Sequence, residues 1–275
     1  MFRIPVLVLL AATAANPQSP APNPASWKLA WSDEFNGPAS APPDPTKWVH
    51  DLGHNTDGWG NHELQSYTNS IENAHQDGQG HLVIRALKDE SGNYTSARLK
   101  TLSKYATVYG KIEARVKIPY GQGVWPAFWS MGADIEKVEW PNCGEIDIME
   151  NIGKEPNIQH GSVHGPGYSG GNSLTGAFTL PKGHKLSDDF HVYGIIWTDQ
   201  SIEFEFDGHA YFKATAASIP AGSKWIFSKP FFLLLNLAIG GDWPGSPDNT
   251  TTFPQEMLVD YVRVYKPEGA TEPRP

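Results

Sequence analysis

The chain has 275 residues, of which 39% are hydrophobic and 12% aromatic, enough to build one domain around a substantial core. Its formal net charge of -9 argues against a nucleic-acid or anionic-membrane partner and is compatible with a neutral substrate such as a sugar. A single cysteine, Cys143, excludes an intramolecular disulfide, so core packing or a bound ion must stabilise the fold.

In chain order, MFR followed by IPVLVLLAATA reads as a basic segment and an apolar segment, and Ala12-Thr13-Ala14 fits a small-residue cleavage site. The apolar run is about half of the roughly 20 residues that span a bilayer. Residues 1–15 are therefore expected to be a signal peptide rather than a membrane anchor, and the mature chain to be secreted, extracellular or periplasmic. Residues 16–26, NPQSPAPNPAS, read as a Pro-rich linker and residues 268–275 as a flexible tail. One folded unit, expected to be a monomer, is left over residues 27–267.

Within that unit strand signals dominate. HLVIRAL (81–87), GKIEARVKI (110–118), HVYGIIWT (191–198), SIEFEFDG (201–208), FFLLLNLAI (231–239) and MLVDYVRVY (257–265) are rich in β-branched and aromatic residues. Gly, Pro, Asn and Asp clusters separate them, and a turn near 214–219 is the one helical pattern. Many short strands with long polar loops predict an all-β fold, a two-sheet antiparallel sandwich.

GEIDIMEN (144–151) places three carboxylates in a strand pattern. Glu145 and Asp147 share one face, while Ile146 and Ile148 share the other. A regular strand would send Glu150 into the core with the isoleucines, at a cost of several kcal/mol. One bulge residue at Met149 returns Glu150 to the acidic face. The two glutamates would then have Cα atoms roughly 13 Å apart and, if their side chains lean together, carboxyls about 5 Å apart, the separation of a retaining glycosidase. One glutamate would attack the anomeric carbon, the other would protonate the leaving oxygen, and Asp147 between them would tune the first. The spacing alone fits a solvated acidic face or a calcium site equally well.

Ten tryptophans accompany the acids. Trp140 in VEWPNCGE and Trp243 in GGDWPG sit beside Gly, Pro or Asn, where a flat face can receive a pyranose ring; Trp197, inside GIIWT, is expected in the core. Cys143 reads as a small buried hydrophobe, since no His or Asn motif of a thiol enzyme surrounds it.

The segment WPNCGEIDIMENIG closely resembles the signature of glycoside hydrolase family 16, E-x-D-x-x-E, in the form typical of laminarinases. WSDEFNG (31–37), WGNHELQSYTN (59–69), YGKIEARVKIPYGQGVWPAFWSMG (109–132), FFLLLNLAIGGDWPG (231–245) and VDYVRVY (259–265) agree in the family's order. The resemblance implies a jelly roll with a concave substrate cleft and a retaining mechanism without a catalytic cofactor. It assigns Glu145 as nucleophile, Asp147 as helper and Glu150 as acid/base. It places Asn69, Arg115, Trp125, Trp129, Trp140, His164, Asn236 and Trp243 along sugar subsites, although a strand-surface ion pair is an equal reading of Arg115. It also implies a structural Ca²⁺ held by the backbone oxygens of Glu34 and Gly80 and by Asp260. The implied partner is β-1,3-glucan, with mixed-linkage β-1,3-1,4-glucan as a second substrate. A galactan-type polysaccharide and a non-catalytic β-glucan-binding protein are the alternatives.

Overall fold

The computed structural model describes residues 26–269; the expected signal peptide, nearly all of the linker and most of the tail lie outside them. In chain order the strands are β1 (Trp27–Asp33), β2 (Val49–Asp51), β3 (Gln65–Tyr67), β4 (Ala74–Gln76), β5 (Leu82–Lys88), β6 (Tyr94–Ser96), β7 (Arg98–Lys100), β8 (Gly110–Lys117), β9 (Val124–Gly132), β10 (Glu145–Glu150), β11 (Ile158–His164), β12 (Leu174–Thr179), β13 (His191–Trp197), β14 (Ser201–Phe206), β15 (His209–Thr215), β16 (Phe231–Ile239) and β17 (Gln255–Pro267). Two sheets form, as the strand pattern predicts. One runs β12-β11-β10-β9-β16-β7-β2; the other runs β15-β14-β13-β8-β17-β5-β6-β3, with β1 on β17 and β4 on β5. Pairing is antiparallel except for the short β3–β6 contact at the rim. The helical turn expected near 214–219 is instead the end of β15 and a turn, while a four-residue helix, Ile135–Val138, interrupts the charged loop before the acidic strand.

The main core lies between the sheets. Alternation sends Phe231, Leu233, Leu235, Leu237 and Ile239 of β16 into it, against Ile112, Ala114 and Val116 of β8 and Val259, Val262 and Val264 of β17. Trp197 joins this core with 1% exposure. The alternate residues Phe232 and Leu234 face the other way, where they pack with Ala127, Trp129, Met131 and Cys143 into a second, smaller cluster. That cluster lies on the outer face of the seven-stranded sheet. All nine residues of β16 are buried as a result. Just past the acidic strand, a Cβ at Gly153 would stand 1.6 Å from the Gly121 oxygen, so glycine alone permits this approach of two backbones.

Candidate active site

β10 lies between β9 and β11, and its ladders carry a bulge between Asp147 and Glu150 as predicted, although Ile148 rather than Met149 is the residue left without a partner on β9. Against β9, Glu145 faces Met131, Asp147 faces Trp129, and Glu150 faces Ala127; against β11, Asp147 faces Ser162 and Glu150 faces His160. One extra residue is absorbed between Asp147 and Glu150, and Ile148 and Met149 both bury fully in the main core. Since Met131, Trp129 and Ala127 alternate along β9, their three acidic partners share the outer face.

The acids are tightly held. His164 Nε2 lies 2.9 Å from Asp147 Oδ2 and 3.8 Å from Glu145 Oε1. The backbone N–H of Gly170 donates to His164 Nδ1 at 3.1 Å, so a neutral imidazole carries its proton on Nε2, toward the acids. The alignment at Asp147 Oδ2 is too oblique for a hydrogen bond, so the contact is electrostatic. Trp125 donates its indole N–H to Glu150 Oε1 at 3.0 Å. Burial, and then the Asp147 charge, push Glu145 up to about 8, while His164 and Arg98 pull it back. Burial also raises Glu150 to about 7, with Glu145 and Glu63 adding to the rise and His164 and Trp125 opposing it. Asp147 is driven upward by burial and by Glu150. Such a group titrates as a unit, and it holds protons near neutrality where isolated carboxyls would hold none.

Around this face, aromatic walls rise from neighbouring elements. Trp125 meets Trp243 edge-on at 5.6 Å, and Trp243 also meets His160 at 5.1 Å. Trp140, 44% exposed, stands 6.3 Å from the His164 ring. Trp129 donates to Asn236 Oδ1 at 2.7 Å.

The comparisons agree with this geometry. The model of glycosyl hydrolases family 16 matches residues 61–263. The chain belongs to that family. It is 39% identical over 277 residues to a β-glucanase of Rhodothermus marinus, covering 96% of this chain and 93% of that protein. It is 37% identical over 265 residues to glucan endo-1,3-β-glucosidase A1 of Niallia circulans, of which it spans only 38%. Among solved structures, the catalytic domain of an endo-1,3-β-glucanase (laminarinase) from Thermotoga petrophila RKU-1 superposes with a TM-score of 0.83 at 46% identity, covering 89% of this chain and 99% of that one. The chain is thus a family 16 glycoside hydrolase on a jelly-roll fold, and it needs no catalytic cofactor.

Within this family 16 site, Glu145, Asp147, Glu150, Trp125, Trp129, Trp140, His164, Asn236 and Trp243 converge. Asn236 is 6% exposed and supports Trp129 from beneath. Asn69 is exposed after β3 and joins none of these contacts. For Arg115 the subsite assignment is corrected and the strand-surface ion pair is the reading that holds. Its neighbours Ala114 and Val116 point into the core from β8, so Arg115 points out of the opposite sheet, where Nη1 donates to Asp260 Oδ2 at 2.6 Å. The Ca²⁺ reading meets the same pair. Asp260 is already neutralised by Arg115, and the Glu34 carboxylate takes the Arg263 guanidinium at 2.7 and 3.0 Å. The oxygens that the resemblance assigns to Ca²⁺ at Glu34 and Gly80 are backbone carbonyls, which these side-chain pairs leave unengaged, so of the three implied ligands only Asp260 meets a competing cation. Cys143 is buried and its thiol is pushed up to about 11 by burial and then by Glu145, which makes it inert.

Sequence reasoning missed a set of supporting residues. Arg98 of β7 lies 4.6 Å from the Trp59 ring and 4.7 Å from the Trp129 ring, with Nε 3.0 Å from Asp51 Oδ2. The loop carrying Trp59 is strained: Asp57, Trp59 and His62 all have positive φ, at 51°, 60° and 55°. It is tied down by Trp59 donating to the Gly53 oxygen and by Asp242 N–H donating to the Asn61 oxygen. Glu63, Gln65 and Tyr67 line one face of the next segment, and their spacing of two in ELQSY was the available signal.

Proposed function

We propose that this chain is a secreted, retaining endo-1,3-β-glucanase of the laminarinase type that also cuts mixed-linkage β-1,3-1,4-glucan. The observation that carries the reading is the bulged acidic strand with Glu150 held near 7. A carboxyl at that level can be protonated to donate and ionised to accept within one cycle. Glu150 gives its proton to the glycosidic oxygen as that bond breaks, while the Glu145 carboxylate bonds to the anomeric carbon. The oxocarbenium-like centre developing beside Glu145 favours its anion, which offsets the burial that raises it. Water then enters, Glu150 takes its proton, and the oxygen displaces Glu145, restoring both groups. Asp147 and His164 fix the position and charge of Glu145 during both steps. Trp140, Trp243 and Trp125 offer faces and edges to sugar rings on either side.

The substrate assignment draws on the relatives' names, and the leader MFRIPVLVLLAATA supports export. The reading is tested by release of reducing ends from laminarin, lichenan and agarose, with proton NMR of the earliest product. Cleavage of laminarin with the β anomer appearing first is expected. Cleavage of agarose with laminarin untouched would overturn the substrate, and early α anomer would overturn the roles of the two glutamates.

A further inference from the structure

Glu63 is 5% exposed, and the partners of its carboxylate are neutral. Oε1 accepts from Asn61 Nδ2 at 3.1 Å; Oε2 accepts from Gln65 Nε2 at 2.6 Å and from the Tyr67 hydroxyl at 3.3 Å. Holding a carboxylate out of water among neutral donors is costly, and an uncharged side chain of similar volume would serve packing as well. The charge therefore calls for a use. From Tyr67 a chain of contacts leads to the acids. Asn236 Nδ2 donates to the Tyr67 hydroxyl at 3.2 Å, Trp129 Nε1 donates to Asn236 Oδ1 at 2.7 Å, and Trp129 faces Asp147 across the ladder. Gln65 fixes the other end by accepting from the Ile239 N–H of β16 at 2.7 Å.

We propose that Glu63 is a positioning residue of this active site: through Tyr67 and Asn236 it aligns Trp129 with the acidic face of β10, and it adds its negative charge to the field at Glu150. The inference rests on the roles proposed above for Glu145 and Glu150. The groups acting on Glu150 are Glu145 and Asp147 from its own strand, His164 and the ladder partner His160 from β11, and Trp125 from β9 by its hydrogen bond; Glu63, in the segment entering β3, reaches it through charge alone, and Arg98 of β7 lies against Trp129. Glu63 contributes to the upward push on Glu150. Tyr67 lies between, and burial with the neighbouring Glu63 keeps its hydroxyl protonated and donating.

Two variants separate the two parts of the role. Glu63→Gln removes the charge, whereas Tyr67→Phe cuts the chain of hydrogen bonds and leaves the charge in place. Both are expected to lower kcat about tenfold with KM changed less than about threefold, because Trp129 loses its alignment in the transition state. Only Glu63→Gln should move the alkaline limb of the kcat/KM profile, by roughly half a unit toward lower pH, since losing a nearby negative charge lets Glu150 ionise earlier. Wild-type kcat in Tyr67→Phe, or an unmoved limb in Glu63→Gln, would overturn the proposal. If Glu63→Gln does not fold, Glu63→Asp and Tyr67→Phe decide: lowered kcat with unmoved limbs supports the role, and wild-type kcat in either overturns it. Any polysaccharide that the wild type cleaves serves as substrate. A chain that cut agarose and left laminarin untouched would therefore overturn the proposed substrate while leaving this test intact.

Discussion

The two outer faces of the sandwich use the same residue types to opposite ends. On the ten-stranded sheet, carboxylates meet cations: Glu34 with Arg263, Asp260 with Arg115, Glu256 with Arg85, and Glu113 and Glu205 with Lys111. Hydrogen bonding from Arg263 holds Glu34 below its ordinary range. On the seven-stranded sheet, Glu145 and Glu150 are pushed above theirs by burial, and a histidine is the nearest counter-charge. The nearby guanidinium of Arg98 is spent on Asp51 and two tryptophan rings. Pairing makes one face inert; withholding it makes the other reactive, at a cost in stability.

The largest effect should come from the acidic face itself. Glu145→Gln is expected to lower kcat on laminarin by at least about 10³-fold with the fold intact. Hydrolysis that survives would remove the proposed nucleophile. Glu150→Gln should cost about 10²-fold or more on the polysaccharide, and much less on an aryl glycoside whose leaving group needs no proton. The same variant probes the stability cost. Glu150 titrates near 4.5 when unfolded and about 7 when folded, so the unfolded chain binds fewer protons in that window and wild-type stability falls as pH rises through it. Glu150→Gln should therefore melt a few degrees above wild type at pH 8 and show little difference at pH 4. Equal melting temperatures at both would contradict the raised carboxyl.

A matched pair of arginine deletions sharpens the contrast further. Arg98→Ala leaves Asp51 paired with Lys100 alone and unstacks Trp59 and Trp129, and is expected to cost about 2–3 kcal/mol of stability. It should also lower kcat/KM about tenfold. Arg115→Ala breaks a pair with both side chains about a third exposed, 37% and 32%, so it should cost below about 1 kcal/mol and leave kcat/KM unchanged. Urea unfolding and laminarin kinetics on the two variants read both numbers. A loss of activity in Arg115→Ala would return that residue to the substrate side.

The acidic strand was legible because it contains its own contradiction: Glu150 in the wrong phase demands a bulge, and the ladder has one. Of the two readings of Arg115, the subsite failed and the surface ion pair held, for a related reason. Alternation tells which residues leave the core, but not which of two sheets a strand joins, and β8 joined the one without the acids. The seven-stranded sheet announced itself through hydrophobic runs such as FFLLLNLAI, whose full burial follows from covering both faces. Tyr67 stayed hidden because its partner Asn236 lies 169 residues away, whereas Glu63, whose partners lie within four residues, left the spacing of two in ELQSY as its signal. The left-handed backbone of Trp59 is held by contacts that no local pattern encodes.

The bulge has a second meaning when viewed from inside. β10 lays six residues, Glu145–Glu150, along the stretch where β9 lays five, Ala127–Met131. Its chemical side displays the same three positions that an uninterrupted strand of five would display, so catalysis gains no side chain from the surplus residue. The interior does: Ile148 and Met149 both enter it, where a regular strand would deliver one. The insertion thus thickens the floor beneath the carboxylates and leaves their number on the groove side unchanged.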